Sequence, residues 1–315
     1  MLFDPVLSQW SDLLFEATLV VLLLALVFST LEYAARRVAR LGTGVLTTVG
    51  SGSDRPAEEP VDPPSTEQPG TRTRADRYGR IGIALTVLAV GTHIGSIVLR
   101  GLAAYRWPLG NMYEFTSAFC LMAVVVWLVL VRNYPGLRSA GAFVLTPIVL
   151  LMFLTGTVLY LQAAPVLPAL QSYWIIVHVT TITTASGMLL VPGVSSVLFL
   201  LTRSDRFAGR LPSADLLDRL AYRVTVLAFP LYTFGIITGA IWAEAAWNRF
   251  WGWDPKETVA FVAWVLYAAY LHARATSGWR STRAAWINVL GFATIVFNLF
   301  FINMVVAGLH SYAGF

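Results

Sequence analysis

The chain is 315 residues long, 57% hydrophobic and only 12% charged, against roughly 25% charged residues in an ordinary soluble domain. That balance excludes a soluble globular enzyme and assigns most of the chain to lipid. A formal charge of +5 suggests nucleic acid in a soluble protein, but here the basic residues are mostly short flanks of apolar runs, where they set membrane orientation; a nucleic-acid partner is excluded.

Eight apolar windows follow in chain order, at 13–34, 80–101, 112–131, 141–161, 173–201, 223–243, 258–275 and 284–308. Each is long enough to span at roughly 20 residues per crossing, which predicts an all-α polytopic membrane protein of about eight transmembrane helices. The first window has Asp4, Asp12 and Glu16 in or ahead of it and Arg36, Arg37 and Arg40 after it. Lacking the basic start of a signal peptide, residues 1–35 read as a retained anchor with an external amino terminus. Residues 36–79 carry the Pro- and charge-rich run Glu58, Glu59, Pro60, Asp62, Pro63, Pro64 and read as a disordered cytoplasmic linker. The remainder, 80–315, is the membrane domain, with an external Trp-rich loop at 242–257. Basic residues test the topology. Of the 22, only Arg100, Arg106, Arg249 and Lys256 fall on the side assigned as external, so the positive-inside trend places both termini outside.

The four histidines sort into two pairs. His178 lies just inside the fifth span from its external end and His310 just beyond the eighth, so both sit near the outer interface and converge if their helices are neighbours. His93 and His272 are embedded in the second and seventh spans, each 15 residues from an external loop residue, Pro108 and Glu257. At 1.5 Å per residue both lie roughly 22 Å below the external loops, and an ionisable group inside a span usually marks a pathway or cofactor. Two pairs of imidazoles in an apolar surround suit haem iron, with zinc or copper less natural because the pairs lie at different depths. Structural hydrogen bonding within the membrane is the competing reading for the inner pair, and an unliganded interfacial histidine for the outer one.

The richest stretch reads WNRFWGWDPKE, Trp247 to Glu257. Trp247, Trp251 and Trp253, with Trp242 upstream, form a candidate aromatic shelf for a flat ligand. Arg249 and Lys256, the latter the only lysine in the chain, are candidates for pairing haem propionates, as is Arg106 in the loop that leads into WPLGNMYEF. Asp254 is placed either to cap the seventh helix or to orient a ligand group; Asn111 and Glu114 start a helix or orient a loop. An aromatic interface belt explains tryptophans, but not their interlocking with Gly, Asp, Pro, Lys and Glu. Cys120 is the only cysteine, so thiol chemistry belongs to a partner, and Cys120 itself reads as a packing residue.

The WGWDPKE core, PLGNMYE at 108–114, SYWIIVHV at 172–179 and GLHSYAGF at 308–315 together resemble the CcsA/ResC family (CcsB-type in actinobacteria) of System II cytochrome c biogenesis, over about residues 80–315. Two positions depart from the usual pattern: Asn248 stands where glycine often follows the first tryptophan, and Val259 where a tryptophan often follows Glu-Thr. The resemblance implies that the Trp-rich segment handles haem b between His178 and His310, and that His93 and His272 receive it within the membrane. It further implies a ResB/Ccs1-type membrane partner, apocytochrome c as the acceptor, a thioredoxin-like thiol reductant, and thioether formation at CxxCH outside the plasma membrane. The alternatives are a haem exporter without attachment activity and a bis-histidine, cytochrome b-like electron-transfer subunit.

Overall fold

The structure, a computed structural model, describes residues 3–49, 74–165, 171–204, 207, 210–279 and 281–310, the backbone alone at 39–49. Among the described residues there is no strand, and eight helical segments are long and apolar enough to cross a membrane. They are α1 (Pro5–Val49), α2 (Arg74–Ala103), α3 (Met112–Asn133), α4 (Gly141–Thr157, entered through a 3-10 turn at Pro135–Ala140), α5 (Tyr173–Leu201), α6 (Ala214–Trp247), α7 (Pro255–Ala275) and α8 (Thr282–Phe297). α8 continues through a π-helical turn at Asn298–Ile302. The protein is an all-α, multi-pass membrane protein.

Several helices outrun their apolar windows. α1 extends to Val49 and α2 begins at Arg74, so the stretch read as a linker, 36–79, is helical at both ends; residues 50–73 lie outside the described residues. The apolar window marks only the lipid-facing length of a helix, while the backbone ladder persists wherever charges find partners. Here Glu32, almost fully buried, takes Arg36 one turn on at 2.9 Å and Arg138 at 2.5 Å, and Asp76 takes Arg138 at 2.6 Å. These pairs bind α1, α2 and the 3-10 turn together at one end of the bundle.

α5 is the central helix, packed on α3, α6 and α8, while α1 lies against α2 and α4, and α7 against α6 and α8. The main core runs through Phe119, Cys120, Leu189 and Ala228, all at most 1% exposed. Within lipid, close packing and hydrogen bonds hold helices together. With eight alternating spans, the start of α1, the end of α8 and the starts of α3, α5 and α7 all fall at the other end of the bundle, where Asp4 N donates to Ala103 O at 2.9 Å. Each of those three helix starts is capped by the residue the sequence supplies: Asn111 accepts from Glu114 N, Ser172 from Trp174 N, and Asp254 forms a capping box with Glu257 behind Pro255.

Candidate functional site

At the capped end a largely apolar cavity of about 430 Å³ opens between α3, α5, α6, α7 and α8, with His178, His310, Arg106, Trp251 and Lys256 in its wall. Its volume falls in the range of small-molecule and cofactor pockets.

His178 approaches from α5. Its Nδ1 lies 2.8 Å from the Gly235 carbonyl of α6; a carbonyl only accepts, so Nδ1 carries the proton and Nε2 the lone pair. The ring is placed by Gly239, where a Cβ would lie 2.6 Å from the imidazole Cε1, and it stacks on Trp242 with ring planes 7° apart and centroids at 6.1 Å. Trp242 is 1% exposed and contacts both outer histidines, with His310 on it edge-on at 5.9 Å. Trp247 completes the group, 4.7 Å from Trp242 and 5.1 Å from His310.

His310 is held from the loop between α6 and α7. Asp254 Oδ2 accepts from its Nδ1 at 2.8 Å and Oδ1 accepts from Leu309 N at 2.7 Å. Asp254 therefore caps α7 and ties the segment after α8 onto the Trp-rich loop. Burial alone raises the Asp254 carboxyl, but hydrogen bonds from His310, Leu309 N and Lys256 N outweigh it and leave the group below the usual carboxylate value. Burial pushes the His310 imidazole below its ordinary value, with the Asp254 bond opposing and Lys256 assisting. Neutral His310 thus donates through Nδ1 and carries its lone pair on Nε2, the arrangement in which a carboxylate orients a metal-ligating histidine.

The loop that presents Asp254 is closed by Glu257, whose Oε2 accepts from Gly252 N at 2.9 Å and Asp254 N at 3.1 Å. Two of its residues have left-handed backbone: Trp253 at φ +58 and Asn248 at φ +56. Asn248 ends α6, its N–H returning to Glu244 O. This is a position for glycine or, next best, asparagine, and Asn248 suits it. A Cβ at Gly252 would overlap the Arg249 guanidinium and push that side chain aside.

The remaining expected residues divide. Trp251 lines the cavity, whereas Trp253 is 65% exposed and meets Trp251 and Phe261. Lys256 is in the cavity wall, with Nζ donating to Asn303 Oδ1. Arg249 lies 6.0 Å over Trp247 and 3.9 Å from Glu257, in the loop and not among the cavity-lining residues. Arg106 lines the cavity but is already gripped by Glu114 through both terminal nitrogens, at 2.7 and 2.9 Å.

The inner pair is not assembled. His93 is enclosed between α1, α2 and α3, 2.8 Å from Ser117 Oγ and edge-on to Phe15, while His272 is exposed on α7. Equal depth fixes one coordinate only; which way each residue faces around its helix, and which helices are neighbours, decide contact. The structure does not bring His93 and His272 together.

Residues that the sequence did not single out also shape the cavity. Asn298 and Asn303 lie on the π-helical turn and just beyond it, and Asn298 Nδ2 reaches Lys256 O at 3.3 Å. Two asparagines inside an apolar span were the available signal, but their five-residue spacing fits one face only if the helix is wound as a π turn.

Comparison with known proteins decides the family. The model of the family described as Cytochrome C assembly protein matches residues 109–310. The chain belongs to that family. Its CcsA branch is shown by curated relatives named cytochrome c biogenesis protein CcsA. The Chlamydomonas reinhardtii relative is 34% identical over 254 residues, 74% of this chain and 69% of that one. The Synechococcus elongatus (strain ATCC 33912 / PCC 7942 / FACHB-805) relative is 33% identical over 296 residues, covering 75% of this chain and 87% of its own. Among solved structures, the cytochrome c haem lyase CcmF superposes with a TM-score of 0.62 at 18% identity, covering 93% of this chain and 46% of that chain; this likeness shows a common fold, and the chain spans about half of that structure. The CcsA-family protein described here has a role in cytochrome c maturation.

Proposed function

We propose that this CcsA-family protein carries haem b to the outer face of the plasma membrane, holds it between His178 and His310, and presents it for covalent attachment to apocytochrome c. The observation that supports this most is the convergence of two imidazoles on Trp242, each with Nδ1 committed to an oxygen acceptor, which leaves Nε2 as the nitrogen that carries the lone pair.

The cavity fits such a substrate. Its walls are mainly apolar and aromatic, and Lys256 in the wall suits a propionate, whereas Arg106 is committed to Glu114. Trp251 offers the cavity an aromatic face, while Trp242 and Trp247 pack on the two imidazoles and hold them in place. In the reaction a CxxCH thiol adds across a haem vinyl group, sulfur to one carbon and hydrogen to the other, so no oxidant is consumed. What the chain contributes is position: vinyl edge and thiol are held together, which replaces a bimolecular encounter by a local one. The histidine of the CxxCH peptide displaces one of the two imidazoles as the product forms. A ResB/Ccs1-type membrane subunit completes the complex, and a thioredoxin-like protein keeps the acceptor thiols reduced, since this chain has only the buried Cys120.

The test is attachment in a minimal system of this chain, its membrane partner, haem and a reduced apocytochrome c. The expected result is covalent haem on the acceptor, lost with His178→Ala or His310→Ala. Haem delivered across the membrane without covalent product makes the chain an exporter; quinol-driven reduction with no use for apocytochrome makes it an electron-transfer subunit.

A further inference from the structure

Asn303 is a polar side chain of the main cavity wall to which the function above gives no part. It follows the π-helical turn at Asn298–Ile302, and both ends of its amide are engaged. Nδ2 donates back to Leu299 O at 2.7 Å and to Asn298 O at 3.3 Å, which fixes the amide so that Oδ1 accepts from Lys256 Nζ. Lys256 is held along its backbone as well. Its N–H donates to Asp254 Oδ2 at 3.4 Å, and its carbonyl accepts from Asn298 Nδ2 at 3.3 Å. The π turn lets two asparagines five residues apart reach the same lysine.

An ammonium carries three N–H donors, and Asn303 takes one of them. Two are left, on a side chain that lines a mainly apolar cavity, where an unmet donor is costly and a carboxylate meets it best. The other acid and base in the wall, the two imidazoles aside, are already engaged: Arg106 is gripped by Glu114, and Glu257 is turned onto Gly252 N and Asp254 N. Among the described residues, Lys256 is therefore the cation of the cavity wall with donors still open.

We propose that Lys256 is a clamp for a single carboxylate of a flat, apolar ligand, and that Asn303 is the positioning residue that aims it. The identity of the ligand rests on the function proposed above, where the carboxylate is one of the two haem propionates; the second finds no open cation in the wall. Two axial imidazoles fix the iron but leave the macrocycle free to turn about the line between them. One anchored carboxylate stops that turn, and so sets which edge brings the vinyl groups to the acceptor. Asp254 joins the two functions, since the oxygen that accepts from Lys256 N also accepts from His310 Nδ1.

The experiment has two arms, and only the second rests on the haem reading. The first compares 1-pyrenebutyrate, a flat apolar ring with one carboxylate and no metal, with its methyl ester; binding to the chain with its membrane partner is read by pyrene fluorescence. Wild type prefers the acid about tenfold, the worth of one charge-assisted hydrogen bond. Lys256→Met erases the preference, Asn303→Leu loses most of it, and Asn303→Leu added to Lys256→Met changes nothing further. The ratio of acid to ester cancels general damage to the cavity, so a merely structural asparagine leaves it unmoved. A wild type that does not prefer the acid, or an unaltered ratio in Asn303→Leu, overturns the proposal. The second arm compares iron protoporphyrin IX with its monomethyl and dimethyl esters. The monoester keeps most of the affinity of the free acid and the diester loses about tenfold; an equal fall with each ester group shows two grips and contradicts the single clamp. If wild type prefers pyrenebutyrate over its ester but binds no iron porphyrin, the haem reading falls and the clamp stands.

Discussion

His178 and His93 are both histidines within a membrane span, each with one ring nitrogen 2.8 Å from a hydrogen-bond partner, yet their surroundings differ in every other respect. His178 faces a cavity of about 430 Å³ in whose wall a second imidazole stands. His93 faces a serine and a space of about 10 Å³ that begins beyond it. A place within a span is common to both, so that alone identifies no ligand. Room for the macrocycle, a second imidazole and a fixed tautomer do.

The largest expected effect follows from that contrast. His178→Ala and His310→Ala lose bound haem at least about tenfold, the scale of removing a ligand or its orienting partner, and added imidazole restores it; His93→Leu keeps its haem. Pyridine haemochrome content of the purified complex reads all three, and equal loss in all three erases the distinction. Next in size is Gly239→Val, whose side chain enters the place of the His178 ring and separates Nδ1 from Gly235 O. The haem spectrum shifts toward that of His178→Ala, whereas a wild-type spectrum shows that Gly239 does not place the ring.

Acid sharpens the comparison from the side of His310. Its imidazole is held below its ordinary 6.5 by burial, so the unfolded chain binds the extra proton first, and stability falls as pH drops below about 6.5. Asp254, also held below its ordinary 3.8, adds a second loss as pH falls from that value through its folded one. The protection factor of the backbone at 306–310, exchange measured relative to its intrinsic rate at each pH, therefore falls between pH 7.5 and 5.5, and the Ser117–His93 region, which His310 does not touch, keeps its protection. The smallest effect belongs to Asn248→Gly, which suits the left-handed end of α6 and changes stability by only a few tenths of a kcal/mol; Asn248→Ala costs about 1 kcal/mol. Thermal unfolding of the two variants side by side checks the sign.

The sequence made much of this arrangement legible, for physical reasons that can be named. Eight windows are visible because lipid demands uninterrupted apolar length, and the fifth, 173–201, coincides with α5 because Ser172 caps one end and polar residues follow the other. The start of α7 is visible because Asp254, Pro255 and Glu257 spell a capping box. That His178 and His310 share an end follows from the parity of the spans. Azimuth is what a one-dimensional reading lacks: it pairs His93 with His272 by depth, and it counts Arg106 as an open cation without seeing Glu114 across the turn. It also ranks Trp253 with Trp247, although a left-handed backbone turns one outward while the other packs on His310.

The central claim is that His178 and His310 are an axial pair. Low-temperature electron paramagnetic resonance of the oxidised, haem-loaded complex tests it most directly: wild type gives a low-spin signal of bis-imidazole type, and either His178→Ala or His310→Ala converts it to high spin until imidazole is added. A low-spin signal that survives both substitutions unchanged contradicts the claim and places the iron elsewhere.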